Sequence, residues 1–272
     1  MKVSGKHVVV TGGSRGIGEA LAREFAARGA RVTVVARSEE SLRRVAAEIG
    51  GHAVVADLTD DSVVDGLIER IESEHGVVDV LVNNAGLETS TPFAVEDPRE
   101  IRAVARLNLE TSMMLTRHVL PGMLDRGDGH VVLVSSLAGT AGFPGMSAYT
   151  ATKAGVLNFA ASLERELRAT DVNLTVLAPG PVNTRMWDSV EDSPPTVQQF
   201  VRRFQRLQLI PKADPVSIAR RTVDAVEKRR PFVRHPRRLS LNFWLNMAPT
   251  RISNAAGIGL RFDPLDRGRR HN

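Results

Sequence analysis

The strongest constraint on this chain is an alternation. Apolar runs of strand length, His7–Val10, Arg31–Ala36, His52–Ala56, Val78–Val82, His130–Val134 and Asn173–Leu177, are separated by longer stretches of helical period. Those stretches predict helices over Ile17–Arg28, Glu39–Ile49, Asp61–Glu74, Pro98–Leu124 and Ala148–Ala169. Strand and helix in turn are the pattern of a parallel sheet covered on both faces. Several of the runs are valine-rich without polar alternation, as expected of strands buried on both sides. The expected fold class is α/β, a single doubly wound parallel sheet of Rossmann type with about seven strands. Pro215–Arg229 adds a helix and Pro231–His235 a short edge strand.

After Pro179 the pattern loosens. Residues 181–213 hold prolines, Trp187, Phe200 and Phe204 in no strict period and read as an irregular flap. From Pro236 the chain becomes a basic, partly amphipathic extension. Lys and Arg outnumber Asp and Glu 11 to 2 over residues 228–272, whereas residues 1–227 carry 25 against 29. The expected division is a catalytic domain over 1–235 and an extension over 236–272. The basic character belongs to that tail, and no nucleic-acid reading module accompanies it, so nucleic acid is not expected as a partner. Leu239, Leu241, Phe243, Trp244, Leu245 and Met247 lie among its arginines. Such a segment either rests on an anionic membrane surface, covers a substrate mouth, or packs on the body or a second subunit.

The chain has no cysteine, which removes disulfide scaffolds and thiolate sites. It opens without the layout of a signal peptide and holds no apolar run of spanning length, so the expected location is the cytoplasm.

Three places carry chemistry. The first strand ends in Thr11-Gly12-Gly13-Ser14-Arg15-Gly16-Ile17-Gly18 and opens directly into a helix. Bare backbone at a helix N-terminus is where a diphosphate binds, and Gly12, Ser14, Arg15, Gly16, Ile17 and Gly18 are the candidate contacts. The second strand ends in Ala36-Arg37-Ser38, with no acid to take a free ribose 2′-hydroxyl. Arg37, with Ser38 beside it and Arg15 in the loop, suits a 2′-phosphate, so NADP(H) is expected over NAD(H). The alternative is that these arginines, among 31 in the chain, are solvated surface charges.

The third place is Tyr149, the only tyrosine, with Lys153 four residues on and therefore on the same helical face. Ser147 is the expected N-cap of that helix. Lowering a phenol by three pKa units takes about 4 kcal/mol. One ammonium about 4 Å away at an effective dielectric near 20 contributes about 4 kcal/mol. Ser136, at the end of the fifth strand, is placed to hold a carbonyl or alcohol oxygen, or else Ser135-Ser136 caps a turn.

In these motifs, together with Asn83-Asn84-Ala85-Gly86, Asn108 and Pro179-Gly180-Pro181-Val182-Asn183-Thr184, the sequence resembles the short-chain dehydrogenase/reductase family, in its shorter oxidoreductase branch. The matches stand in the family's order and span most of the first 185 residues. The resemblance implies that Tyr149 is the general acid in reduction and the base in oxidation. Lys153 would lower its pKa and bond the nicotinamide ribose, and Ser136 would orient the substrate oxygen. Asn108 would hold a water for proton relay; without the resemblance it reads as a helix-surface asparagine. Asp57 and Leu58 would meet the adenine, although Asp57 also suits a turn or N-cap, a role open to Thr59-Asp60 as well. Asn84, Ala85 and Gly86 would flank the adenosine half, while Pro179, Gly180, Val182 and Thr184 would close over the nicotinamide carboxamide.

The substrate follows less directly. Phe143, Met146, Met186, Trp187, Phe200 and Phe204 form an apolar set, which suits a hydrophobic ketone or secondary alcohol, or merely packs the flap on the body. The expected activity is NADP(H)-dependent hydride transfer to or from such a small molecule by a homo-oligomer. A sugar-nucleotide epimerase is disfavoured by the glycine spacing. A cofactor-binding sensor or scaffold with little turnover is the competing class.

Overall fold

The computed structural model describes residues 1–183, 198 and 212–235. Thr184, Met186, Trp187, Phe200, Phe204 and the extension from Pro236 lie outside the described residues.

Seven parallel strands form one sheet: β1 His7–Thr11, β2 Arg31–Ala36, β3 His52–Val55, β4 Val80–Asn83, β5 Gly129–Val134, β6 Val172–Ala178 and β7 Phe232–Arg234. Their order is β3-β2-β1-β4-β5-β6-β7, and every paired neighbour is parallel. The chain works outward from β1 in one direction, then restarts at β4 on its other side. The crevice at the carboxyl ends of β1 and β4 is where such sheets bind ligands.

Among the described residues the helices that carry the fold are α1 Gly16–Ala27, α2 Glu39–Ile49, α3 Asp61–His75, α4 Pro98–Ala105, α5 Thr111–Arg126, α6 Ser147–Glu166 and α7 Pro215–Glu227. They build one core on each face of the sheet. Val8 and Val10 pack with Leu21 and Phe25 of α1 and Ile218 of α7, while Val9 and Leu81 face Ile71, Leu115 and Met123 on the other side. Successive strand residues thus enter opposite cores, which is why the strands read as unbroken valine runs. Each fully buried side chain of this kind contributes about 1.5–3 kcal/mol.

Two expectations are corrected. The helix foreseen over Pro98–Leu124 is interrupted by a π-helical turn at Arg106–Glu110 between α4 and α5. Ser147 is the first residue of α6 rather than its cap; Met146 holds the cap position and no side chain bonds there. Among the described residues, no helix is long and apolar enough to cross a membrane.

Candidate active site

The loop after β1 turns on Gly12 and Gly16, at φ +66° and +59°, backbone that other residues adopt at a cost. A β-carbon at Gly18 would run into the Gly12 carbonyl oxygen, so the loop lies directly on the first turn of α1. Arg15 is the N-cap of α1 in extended conformation, and no side chain caps the helix. Its first N–H groups are therefore available to an anion.

Thr11 and Asn84 hold this loop against β4. The Thr11 hydroxyl accepts from the N–H groups of Asn84 and Ala85, each at 3.0 Å. In return, Asn84 Nδ2 donates to the Thr11 carbonyl at 2.9 Å. The crosslink sets the floor of a cavity of about 1100 Å³ running along the carboxyl edge of the sheet.

At one end of the cavity stand Arg15, Arg37, Ser38, Asp57 and Leu58. Arg37 is 58% exposed and its Nη1 stands 3.9 Å from Asp57 Oδ2. Asp57 is the turn residue of the two alternatives: its Oδ1 accepts from the Thr59 N–H at 3.0 Å and the Thr59 hydroxyl at 2.7 Å. Those bonds, with Arg37 opposite, hold the Asp57 carboxyl below its ordinary range. Asp60 takes the capping role, accepting from the Ser62 N–H at the start of α3.

At the other end, Ser136, Tyr149 and Lys153 line the same cavity. Tyr149 is 7% exposed and Lys153 5%. Lys153 Nζ lies 5.8 Å from the centre of the phenol ring and donates to the Val134 carbonyl at 3.0 Å. The Ser135 hydroxyl donates to the Lys153 carbonyl at 2.8 Å, fixing α6 to the end of β5. Ser136 meets the turn alternative, since its hydroxyl accepts from the Ala138 N–H at 3.1 Å.

Burial governs both ionisable groups here. It pushes the phenol above its ordinary value of 10; the nearby Glu88 carboxylate adds to that push and Ser136 opposes it. It also pushes the Lys153 ammonium down to about 8, with Glu88 opposing. The expected lowering of the phenol by the lysine is therefore corrected: burial and the Glu88 carboxylate move the phenol upward, and burial moves the ammonium downward.

Asn108 is fully buried, which overturns the surface reading. It sits in the π-helical turn, where the widened helix carries its amide inward. Its Oδ1 accepts from the Leu87 N–H at 2.7 Å, and its Nδ2 donates to the Leu87 carbonyl at 2.8 Å and the Thr152 hydroxyl at 3.1 Å. It lies behind the cavity wall rather than on it. Gly86 stands between: a β-carbon there would meet Asn108 Oδ1 at 3.0 Å and Lys153 Nζ at 3.6 Å.

Gly12, Ser14, Gly16, Ile17 and Gly18 line the cavity beside Asn84, Ala85 and Gly86, as do Pro179, Gly180 and Val182. Gly180 donates to the His235 carbonyl at 2.7 Å and Val182 bridges to Ala213, which anchors this segment on both sides. Phe143 and Met146 pack beside Tyr149. Sequence reasoning missed Glu88, which lines the cavity two residues after Gly86, and also Ser41 and Arg44 on α2. The only signal for Glu88 was its place in a loop leaving the carboxyl end of β4.

The family model described as short chain dehydrogenase matches residues 6–195. The chain is 34% identical over 194 residues to the 3-oxoacyl-(acyl-carrier-protein) reductase of Escherichia coli strain K12, covering 71% of this chain and 80% of that one. A metagenomic short-chain oxidoreductase solved in complex with NADP superposes with a TM-score of 0.69 at 32% identity, covering 86% and 99% of the two chains. A short-chain dehydrogenase from Sphingobium yanoikuyae in complex with NADPH gives a TM-score of 0.78 at 26% identity, covering 93% and 96%. Seven parallel strands, a glycine loop and a buried Tyr–Lys pair on one cavity agree with that match, and the chain belongs to the short chain dehydrogenase family, whose members are oxidoreductases.

Proposed function

We propose that this protein is an NADP(H)-dependent reductase of hydrophobic ketones, reversible toward the secondary alcohols. The observation that carries the reading is the meeting of Ser136, Tyr149 and Lys153 with the glycine loop on one cavity, with Arg15 and Arg37 at its far end. The residues fit a dinucleotide. Gly12, Gly16 and Gly18 present bare backbone at an uncapped helix N-terminus, the cavity is long enough to run from Arg37 to Tyr149, and Gly86 leaves room beside Lys153.

A bound nicotinamide supplies the hydride to the carbonyl carbon. The chain supplies the rest. Tyr149, a phenol protonated at neutral pH, delivers its proton to the carbonyl oxygen as negative charge develops there, with the Ser136 hydroxyl opposing the upward push of burial on its pKa. Ser136 donates to the same oxygen and holds it in line. Lys153, near pKa 8, stays largely charged at neutral pH and replaces the proton that Tyr149 gives up. Asn108 acts through others: it pins Leu87, and with it Gly86, against Lys153.

Arg37 and Arg15 favour the 2′-phosphorylated cofactor, and the tip of β2 carries no carboxylate. The NADP and NADPH complexes of the two solved relatives support this reading. Leu87, Leu137, Phe143 and Met146 give the substrate end an apolar lining, and the name of the E. coli relative points to a ketone. Steady-state turnover of a ketone panel with NADPH and NADH tests the proposal. Tyr149→Phe is expected to lose about three orders of magnitude in kcat with cofactor affinity unchanged. Wild-type turnover in that variant would remove Tyr149 as the proton donor.

A further inference from the structure

Ser41 and Arg44 stand three residues apart on one face of α2 and line the cavity next to Arg37 and Ser38. The Ser41 hydroxyl donates to Ser38 Oγ at 2.7 Å. Arg44 reaches back toward α1, with Nη2 3.3 Å from Glu19 Oε1 and Nη1 3.2 Å from both oxygens of Glu48.

Those two carboxylates have a second and closer partner. Arg23 donates to Glu19 Oε1 through Nη2 at 2.8 Å and Nε at 3.1 Å, and it also pairs with Glu48. The three contacts of Arg44 sit at the long end of the hydrogen-bond range on a side chain 48% exposed, so giving them up costs little. Charge balance shows why they would be given up. Arg37 already faces Asp57, and the group of Arg23, Arg44, Glu19 and Glu48 is neutral as it stands. A dianion entering beside Arg37 therefore meets a second uncompensated positive charge, beyond that of Arg15, when one guanidinium moves.

We propose that Arg44, together with Ser41, is a specificity-determining part of the site for the cofactor's ribose 2′-phosphate, its guanidinium passing from Glu19 and Glu48 to the phosphate on binding. This rests on the NADP(H) reading above and names which residues complete it. Arg37 and Arg15 supply the remaining charge, and Arg23 keeps the two glutamates paired after Arg44 leaves.

The test is calorimetric titration of the full chain with 2′,5′-ADP and with 5′-ADP, for the wild type, Arg44→Gln, Glu48→Gln and Arg37→Ala. Arg44→Gln is expected to bind 2′,5′-ADP about 10-fold more weakly, the scale of one partly exposed charged contact, with 5′-ADP unchanged. Glu48→Gln loosens the hold on Arg44 and is expected to tighten 2′,5′-ADP about 2- to 3-fold, a gain that misfolding cannot produce. Wild-type affinities in both variants, or equal losses for both ligands, would overturn the inference. If only Arg37→Ala discriminates the ligands, the inference falls and the NADP(H) reading stands. If the wild type binds the two ligands equally, the cofactor reading itself has failed.

Discussion

Asn108 and Leu87 are joined through both main-chain groups of the leucine, the amide oxygen taking its N–H at 2.7 Å and the amide nitrogen serving its carbonyl at 2.8 Å. This double clamp spans from the π-helical turn to the loop after β4, and it places Gly86 against Lys153. Asn108→Leu removes it and leaves two partly buried main-chain groups short of partners. The expected cost is about 2–3 kcal/mol in urea unfolding, with a larger fall in kcat than in cofactor affinity. Unchanged stability would mean that the clamp is dispensable.

Gly86→Ala tests the spacing in isolation. The added methyl stands 3.0 Å from Asn108 Oδ1, a buried atom held by its own bond to Leu87. The expected result is a fold-competent protein destabilised by about 1–3 kcal/mol whose turnover falls further than its melting temperature would explain. A variant with wild-type kinetics would show that the wall can give way.

Lys153 carries a stability penalty with a definite pH dependence. Its ordinary pKa is 10.5 and burial lowers it to about 8. Above pH 10.5 both folded and unfolded lysine are neutral. Between there and pH 8 only the unfolded chain takes up the proton, so stability falls as pH descends and then levels off. At pH 7 the full penalty applies, and Lys153→Met is expected to unfold at higher urea by about 1–3 kcal/mol while losing turnover. A less stable variant would show that the bond from Nζ to Val134 outweighs desolvation.

Acid sensitivity is expected from the amino-terminal edge of the sheet. Burial pushes the His130 imidazole from 6.5 down to about 3, and it lowers His7 in the same direction. Both residues are fully buried, His130 with Nε2 at 2.8 Å from the Thr175 hydroxyl and His7 with Nδ1 at 2.8 Å from the Gly76 carbonyl. Above pH 6.5 neither state is charged. Below it only the unfolded chain binds the proton, so stability drops by about 1.4 kcal/mol per pH unit for His130 alone, until pH nears 3. His130→Gln keeps a partner for Thr175 and is expected to flatten the slope of unfolding free energy between pH 6 and 4; an unchanged slope would assign the sensitivity elsewhere.

Local pattern carried much of the fold. β2 and α2 occur over the residues expected, Arg31–Ala36 and Glu39–Ile49, because one has apolar side chains for two cores and the other ends at Gly50, which adopts the left-handed conformation at φ +62°. The glycine loop, Arg37 and the Tyr149–Lys153 spacing were equally legible, since each is a short-range arrangement imposed by strand, turn or helix geometry. Ser147 shows the limit: good capping chemistry was present, but the chain entering α6 from Gly145 and Met146 begins the helix one residue earlier.

The sequence by itself determined the order of strands and helices, the class of fold, and which residues would stand at the carboxyl edge of the sheet, because these follow from side-chain period and turn chemistry along a few consecutive positions. Only the tertiary structure decided that Asn108 is turned inward by a π-helical turn, that Asp57 shapes a turn while Asp60 caps α3, that Glu88 and Arg44 reach the cavity, and that burial raises the Tyr149 phenol rather than lowering it. Each of these depends on how much water is excluded and which distant groups meet, quantities that arise from packing and are written at no single position of the chain.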